Sequence, residues 1–257
     1  MDLSEALALA LDLAEIADAI TMDRFRAVDL VVETKPDLTP VTEADQAVER
    51  ALRAHLAEHA AGHGVLGEEY GDEGSDSDFR WVIDPIDGTK SYVRGVPVWA
   101  TLIGLEHLGV PVVGMVSAPA LGTRWWAGRG LGAFRDGNPI RVSGVHELDD
   151  AQISFAWDTK ARFDDGGIGD RLLELAHRCW RLRGLGDFWQ HMLVAEGAFD
   201  ISVDPIVNYW DVAALLPIIA EAGGQWSTVR GEKPAQPESF VCTNGRLHAT
   251  VIGVLHP

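Results

Sequence analysis

Residues 81–91, WVIDPIDGTKS, decide the fold and the chemistry of this chain. The three apolar residues 81–83 predict a buried strand. Pro85 fixes one backbone dihedral and removes an amide donor, so we expect the chain to turn there. Asp84 and Asp87 lie on either side of this predicted turn and could share one metal ion.

The next two residues, Gly88 and Thr89, are suited to binding an anion. A glycine lets backbone N–H groups approach a ligand, and a helix beginning near Thr89 would add a favourable dipole. Cation ligands and an anion cradle thus lie close together, as metal-assisted phosphoryl transfer requires. Enzymes that form a phosphoaspartate carry Asp-x-Asp-Gly-Thr, with one residue fewer between the acids. A covalent phosphoenzyme is therefore the disfavoured alternative.

Length and charge narrow the possible functions. The 257 residues suit a single domain spanning 1–257, and 47% hydrophobic with 23% charged residues is ordinary for a globular protein. The formal net charge of -18 disfavours binding to nucleic acid or anionic membranes. An anionic substrate remains possible, because bound divalent cations would reverse the sign of the local charge.

Cysteine usage and the N-terminus predict a cytoplasmic protein. Only Cys179 and Cys242 are present, which disfavours a disulfide framework and fits a reducing compartment. The N-terminus is acidic and amphipathic and lacks the basic region of a signal peptide. No apolar run is long enough to span a bilayer.

Helical and strand patterns alternate along the chain. Residues 2–26 have apolar side chains at helical spacing, whereas 97–106 and 110–116 are β-rich runs that predict a hairpin. Residues 210–222 predict one helix that ends at Gly223. These patterns predict a mixed α/β fold.

Three motifs resemble the signatures of the inositol monophosphatase family of Mg²⁺-dependent phosphatases. The family's Asp-Pro-Ile/Leu-Asp-Gly-Thr stands at 84–89, its Gly-Glu-Glu at 67–69 and its Trp-Asp-x-Ala-Ala/Gly at 210–214. They follow the family's order and spacing over nearly the whole chain. The resemblance implies an αβαβα sandwich, in which helix and sheet layers alternate, and a homodimer.

The resemblance also implies a Mg²⁺ site of two or three ions. Its first ion would be bound by Glu68, Asp84 and the Ile86 carbonyl, and its second by Asp84, Asp87 and Asp211. Hard oxygen donors suit Mg²⁺ better than Zn²⁺. Asp211 has an alternative role as a helix cap, and a solvated acidic loop is the alternative for Glu69.

The same resemblance assigns catalytic roles. Thr89 with Glu68 would orient and deprotonate the attacking water, while Asp45 would help to position it. By spacing alone, Asp45 could instead pair with Thr42 as a helix cap. The residues implied to contact substrate are Asp87, Gly88, Thr89, Arg183, Asp187 and Asp211. Lys35 and Asn244 are weaker candidates.

Asp187 bears on the substrate. Inositol phosphatases usually carry a small residue after the glycine that corresponds to Gly186, and a carboxylate there would suit an ammonium group. Histidinol phosphate carries such an amine. Residues 34–42, 94–100 and 186–188 resemble the actinobacterial histidinol-phosphate phosphatases of the family, which implies hydrolysis of L-histidinol phosphate in histidine biosynthesis.

Other interpretations stay open at this point. Arg183 could contact the phosphate, or could merely pair with Asp187. The substrate could be inositol 1-phosphate or another sugar or nucleotide phosphate. A non-catalytic metal-binding or scaffolding protein is a further class, against which the complete carboxylate set and Thr89 argue.

Overall fold

The computed structural model describes residues 1–36, 38–155 and 167–256. Its helices are α1 (Leu3–Arg24), α2 (Glu43–His59), α3 (Thr89–Val93), α4 (Ile168–His177), α5 (Asp187–Ala195), α6 (Tyr209–Ala213), α7 (Leu215–Glu221) and α8 (His248–Leu255). Its strands are β1 (Val32–Thr34), β2 (Pro40–Thr42), β3 (Gly64–Gly67), β4 (Gly71–Glu73), β5 (Phe79–Asp87), β6 (Ala100–His107), β7 (Val110–Ala118), β8 (Thr123–Gly128), β9 (Gly132–Arg135), β10 (Asn138–Pro139), β11 (Gln152–Phe155), β12 (Arg181–Arg183), β13 (Ile201–Asp204), β14 (Gln225–Ser227) and β15 (Phe240–Thr243). Among the described helices, none has the length and apolar content needed to cross a membrane.

Two mixed sheets organise the molecule. The larger, eight-stranded sheet has the order β10-β9-β8-β7-β6-β5-β3-β4, and the five-stranded sheet has the order β12-β11-β13-β15-β14. In the larger sheet β5 pairs with β3 in parallel and with β6 antiparallel. The hairpin β6–β7 agrees with the pattern predicted at 97–116. A separate pair, β1–β2, precedes α2.

Helix layers cover both sheets. Successive β5 side chains point to opposite faces, so Ile83 packs with α1 and α2 through residues such as Leu13, whereas Val82 faces the other way. On that second face α5, α6 and α7 lie between the two sheets and meet Phe240 of the smaller one. Helices α4 and α8 cover the far face, where Val251 is buried. The αβαβα layering is therefore confirmed.

The chain does not turn at Pro85 as predicted; β5 continues to Asp87. Between Asp84 and Asp87 β5 has one residue more than the facing part of β6, which makes a β-bulge. A bulge tolerates proline because it takes backbone groups out of the ladder, and the Pro85 carbonyl accepts a hydrogen bond from Thr101 Oγ1 at 2.8 Å. The extra residue brings both aspartates to one face.

The helix predicted at 210–222 is divided at Ala214 into α6 and α7. Pro217 has no amide proton to donate to the carbonyl one turn earlier, so the helical ladder is interrupted. The Ala214 carbonyl lies directly against Gly114 of β7, where any Cβ atom would overlap it. The break allows α6 to approach the end of β5.

Candidate active site

A pocket of about 390 Å³ opens where β5 ends. Its wall combines the turn after β3, the end of β5 with the start of α3, the start of α5 and the start of α6. Among the residues predicted for the site, it brings together Glu68, Asp84, Ile86, Asp87, Gly88, Thr89, Asp187 and Asp211. Residues far apart in sequence thus share one cavity.

Asp84 is the most enclosed of these carboxylates. It is 2% exposed, and among the described residues its Oδ1 atom has no hydrogen-bond partner. Burial raises its pKa well above the usual range, and the negative charges of Glu68, Asp87 and Asp211 add to the effect. Such an arrangement favours a bound cation, which would supply the missing partner.

Asp87 is tied to the second half of the chain. Its Oδ2 atom accepts a hydrogen bond of 2.6 Å from the amide of Phe188, in the first turn of α5. Burial raises the pKa of Asp87 well above its usual range, and the charges of Asp187 and Asp211 raise it further. The hydrogen bond fixes the start of α5 beside the bulge.

Asp211 serves as a helix cap and also lines the pocket. In the first turn of α6 its Oδ2 atom accepts the Asn208 amide at 2.7 Å, which completes a capping box. Burial raises the pKa of Asp211 to about 7, although the hydrogen bond from Asn208 opposes the change. The structural role and the predicted metal role are therefore compatible.

Glu68 and Glu69 share a lysine. Lys35 Nζ lies 2.8 Å from Glu68 Oε1 and 2.7 Å from Glu69 Oε1. Burial lowers the pKa of Lys35, but the two carboxylates outweigh it and the net pKa is raised. The pKa of Glu69 is raised to about 7 by burial, against the influence of Lys35. Lys35 lines the pocket and forms an ion pair with Glu68 there.

Thr89 connects the pocket to Asp45. Thr89 Oγ1 lies 2.9 Å from the Ile86 carbonyl oxygen and 3.2 Å from Asp45 Oδ1. The other oxygen of Asp45 accepts the Thr42 amide at 2.8 Å, so the predicted cap is present as well. Burial raises the pKa of Asp45 to about 6, while both Thr42 hydrogen bonds oppose it. Asp45 is not among the described residues that line the pocket; it lies behind Thr89 and contacts the pocket through that hydroxyl.

Gly88 and Asp187 approach each other closely. Gly88 has a φ of +87°, and a Cβ atom there would lie 3.0 Å from the Val98 carbonyl and 3.2 Å from Asp187 Oδ2. Asp187 itself has a φ of +50°, a conformation that aspartate tolerates better than most residues. The carboxylate of Asp187 is therefore held next to the glycine of the predicted anion cradle.

Two predicted residues lie elsewhere. Arg183 is exposed, donates to the Leu182 carbonyl at 2.7 Å and is not among the described residues that line the pocket. Asn244 is buried, and its side chain donates to Ser143 Oγ at 2.9 Å and to the Val145 carbonyl at 2.7 Å. Its Oδ1 atom accepts the amides of Arg246 and Leu247, so Asn244 stabilises the turn before α8.

The pocket also contains residues that the sequence did not single out. Asn208 and Lys90 line it. A signal existed for Asn208, because an asparagine three residues before Asp211 is a capping pattern. Lys90 directly follows Thr89, but nothing in its residue type marked it.

The donor set fits a hard cation. Glu68, Asp84, Asp87 and Asp211 offer oxygen atoms alone, as Mg²⁺ prefers, and Asp84 Oδ1, which has no hydrogen-bond partner in the described part of the chain, is available to a cation. Within the described ranges, no three acidic, histidine or cysteine side chains converge tightly enough to form a finished metal cluster.

Comparisons with known proteins identify the family of this chain. The model of the inositol monophosphatase family matches residues 2–256. A histidinol-phosphatase of Mycobacterium tuberculosis is 49% identical over 251 residues, covering 96% of this chain and 96% of that protein. One from Streptomyces coelicolor is 48% identical over 264 residues, covering 99% and 98%. Among solved structures, an IMPase from Thermotoga maritima has a TM-score of 0.87 and 31% identity, covering 97% of this chain and 96% of that one. The chain belongs to the inositol monophosphatase family.

Proposed function

We propose that this protein is a Mg²⁺-dependent phosphomonoesterase that hydrolyses L-histidinol phosphate to L-histidinol and phosphate. The observation that carries the proposal is the Asp187 carboxylate, held against Gly88 in the pocket wall. The two histidinol-phosphatases that match nearly the whole chain support the same substrate.

The argument from Asp187 is one of charge. A substrate ammonium next to this carboxylate would form a charge-assisted hydrogen bond worth about 1.5–3 kcal/mol, or roughly ten- to hundredfold in binding. A neutral polyol offers no positive charge to offset the desolvation of the carboxylate. Asp187 therefore favours a phosphate ester with an amine near the ester oxygen.

The proposed metal ligands are Glu68, Asp84, the Ile86 carbonyl, Asp87 and Asp211. Their four carboxylates carry up to four negative charges, which two Mg²⁺ ions would balance. When bound, Mg²⁺ supplies charge neutralisation for the phosphate and a lowered pKa for water. The amides of Gly88 and Thr89 hold the phosphate in this proposal.

Thr89 orients the attacking water by accepting a hydrogen bond from it. Its hydroxyl has one proton and two nearby acceptors, the Ile86 carbonyl and Asp45 Oδ1. Once that proton points to either acceptor, the oxygen lone pairs can accept a hydrogen bond from water. Glu68 accepts the other hydrogen bond from the attacking water. The water oxygen bonds to phosphorus and the ester P–O bond breaks. One proton of the water stays on the product phosphate and the other is transferred to the histidinol oxygen, without a covalent intermediate.

The test compares kcat/KM for histidinol phosphate and inositol 1-phosphate in Mg²⁺. We expect a preference of several orders of magnitude for histidinol phosphate. Asp187→Asn keeps the tolerance for positive φ but removes the charge, so it should raise KM for histidinol phosphate about ten- to hundredfold and change inositol phosphate hydrolysis little. Arg178→Gln, at an exposed position that does not line the pocket, is the control.

Inositol-1-monophosphatase activity is the alternative, favoured by the fold shared with the Thermotoga IMPase. A wild-type preference for inositol 1-phosphate would establish it. If Asp187→Asn lowers kcat/KM equally for both substrates, the role of Asp187 is purely structural.

A homodimer in the cytoplasm, acting in histidine biosynthesis, completes the proposal. Both cysteines are free, which suits a reducing compartment. Light scattering on the purified protein would give the subunit number.

A further inference from the structure

A buried carboxylate lies behind the turn that carries Glu68 and Glu69. Glu49, in α2, is fully buried. Its Oε2 atom accepts the Glu69 amide at 2.7 Å, and its Oε1 atom accepts the Tyr70 amide at 3.2 Å. Burying a charge is costly unless it is paired and hydrogen-bonded, and these contacts show what the charge is used for. Glu49 holds the backbone of the turn.

Arg53 adds a second set of contacts between α2 and this turn. Arg53 lies one helical turn after Glu49. Its Nε atom is 2.9 Å and its Nη2 atom is 2.8 Å from Glu49 Oε1. The same guanidinium donates to the Gly71 carbonyl at 2.6 Å. Gly71 pairs with Gly67 across the β3–β4 hairpin. Side chains of α2 therefore form hydrogen bonds with the turn both at its middle and at its end.

Gly67 makes room for this contact. A Cβ atom on Gly67 would overlap the carboxylate of Glu49. Gly67 is not among the residues with positive φ, so its missing side chain serves close approach and not an unusual backbone conformation. The glycine of the Gly-Glu-Glu motif is thus explained by Glu49.

We propose that Glu49 is a positioning residue for Glu68. By fixing the turn against α2, it presents the Glu68 carboxylate to the pocket before a cation arrives, so that little ordering remains to be done on binding. Asp45 lies one helical turn before Glu49, so a single helix sets both positions relative to β5. This inference rests on the proposed function, because Glu68 is a metal ligand only within it.

The experiment measures Mg²⁺ affinity by calorimetry and amide hydrogen exchange by NMR in Glu49→Gln. The carboxamide keeps the size but can accept only through one oxygen atom. We expect Mg²⁺ affinity to fall about ten- to hundredfold and the Glu69 and Tyr70 amides to exchange faster. The matched control is Glu58→Gln, on an exposed part of the same helix, which should change neither quantity.

A double-variant cycle separates positioning from general damage. If Glu49 acts through Glu68, then Glu49→Gln should weaken Mg²⁺ binding little further when Glu68→Gln is already present. Additive losses, or unchanged Mg²⁺ affinity in a folded Glu49→Gln protein, would overturn the proposal.

Gly67→Ala provides a second route in case Glu49→Gln leaves Arg53 unpaired and fails to fold. It keeps both charges but displaces the Glu49 carboxylate, so the same two measurements should change in the same direction. The proposed function fails separately: a wild-type protein that binds Mg²⁺ but hydrolyses neither ester refutes it and leaves the positioning result intact. Normal turnover with unaltered Mg²⁺ affinity in both variants refutes the positioning role alone.

Discussion

Replacing Asp84 by asparagine should remove the response to Mg²⁺ and leave the fold intact. In wild type, Mg²⁺ at a hundred times its dissociation constant would stabilise the folded state by about 2.7 kcal/mol per site. At roughly 2–4 °C per kcal/mol for a chain of this size, that corresponds to a rise of about 5–10 °C in Tm. Asp84→Asn should lose most of that rise, together with phosphate release.

Comparing the stabilities of wild type and Asp84→Asn without metal distinguishes loss of a metal ligand from general destabilisation of the fold. Asp84 Oδ1 has no hydrogen bond to lose among the described residues, and asparagine has nearly the same shape. Removing one of several adjacent like charges should then stabilise the metal-free fold, by a net amount on the order of 1 kcal/mol after solvent screening.

The assay is thermal unfolding by circular dichroism in EDTA and in Mg²⁺. Asp149→Asn, at an exposed carboxylate, is the control and should respond to Mg²⁺ as wild type does. The reasoning is refuted if Asp84→Asn keeps the wild-type Mg²⁺ shift, or if the metal-free variant is less stable than wild type by more than about 1 kcal/mol.

Three further predictions concern other positions. Gly88→Ala should cost about 1–2 kcal/mol in urea unfolding because of its φ of +87°, and should lower kcat; wild-type stability would contradict the tight contact. Thr89→Val should lower kcat at least about a hundredfold with little change in Tm, whereas Thr89→Ser should retain activity; equal activity of the two variants would exclude the hydroxyl from proton handling. Burial, assisted by Lys233, lowers the pKa of His248 to about 4, so as pH falls from about 6.5 to 4 the unfolded chain takes up a proton that the folded protein refuses. Wild type should therefore lose about 2–3 kcal/mol of unfolding free energy relative to His248→Gln over that range, and parallel pH profiles in urea would contradict the shift.

The location of the site could be predicted because it follows from short motifs. Asp84, Asp87 and Asp211 stand in patterns that resemble family signatures, and the structure brings them into one pocket. The predicted turn at Pro85 was wrong because a bulge depends on register with β6, which no local pattern reports. Pro85 inside an apolar strand was the available signal.

Charged residues inside elements were harder to interpret. Glu49 has the residue type of a solvated helix face, and only its tertiary partners reveal that it is buried. Glu106 is similar: it lies in a strand, is 2% exposed, and pairs with Arg80 at 2.7 Å while Tyr209 donates to its other oxygen. Pairings across distant segments are what a reading of one sequence cannot supply.

The hydrogen bond from Phe188 to Asp87 has a consequence for biosynthesis of the protein itself. It closes a separation of 101 residues, so the loop must form before the contact can stabilise anything. On the ribosome, the nascent chain exposes Glu68, Asp84 and Asp87 long before Asp211 emerges. The N-terminal part of the nascent chain thus carries most of the site carboxylates before the rest of the pocket has formed around them. Within the proposed function, Mg²⁺ binding would therefore require synthesis past Asp211 and docking of α5 against the end of β5.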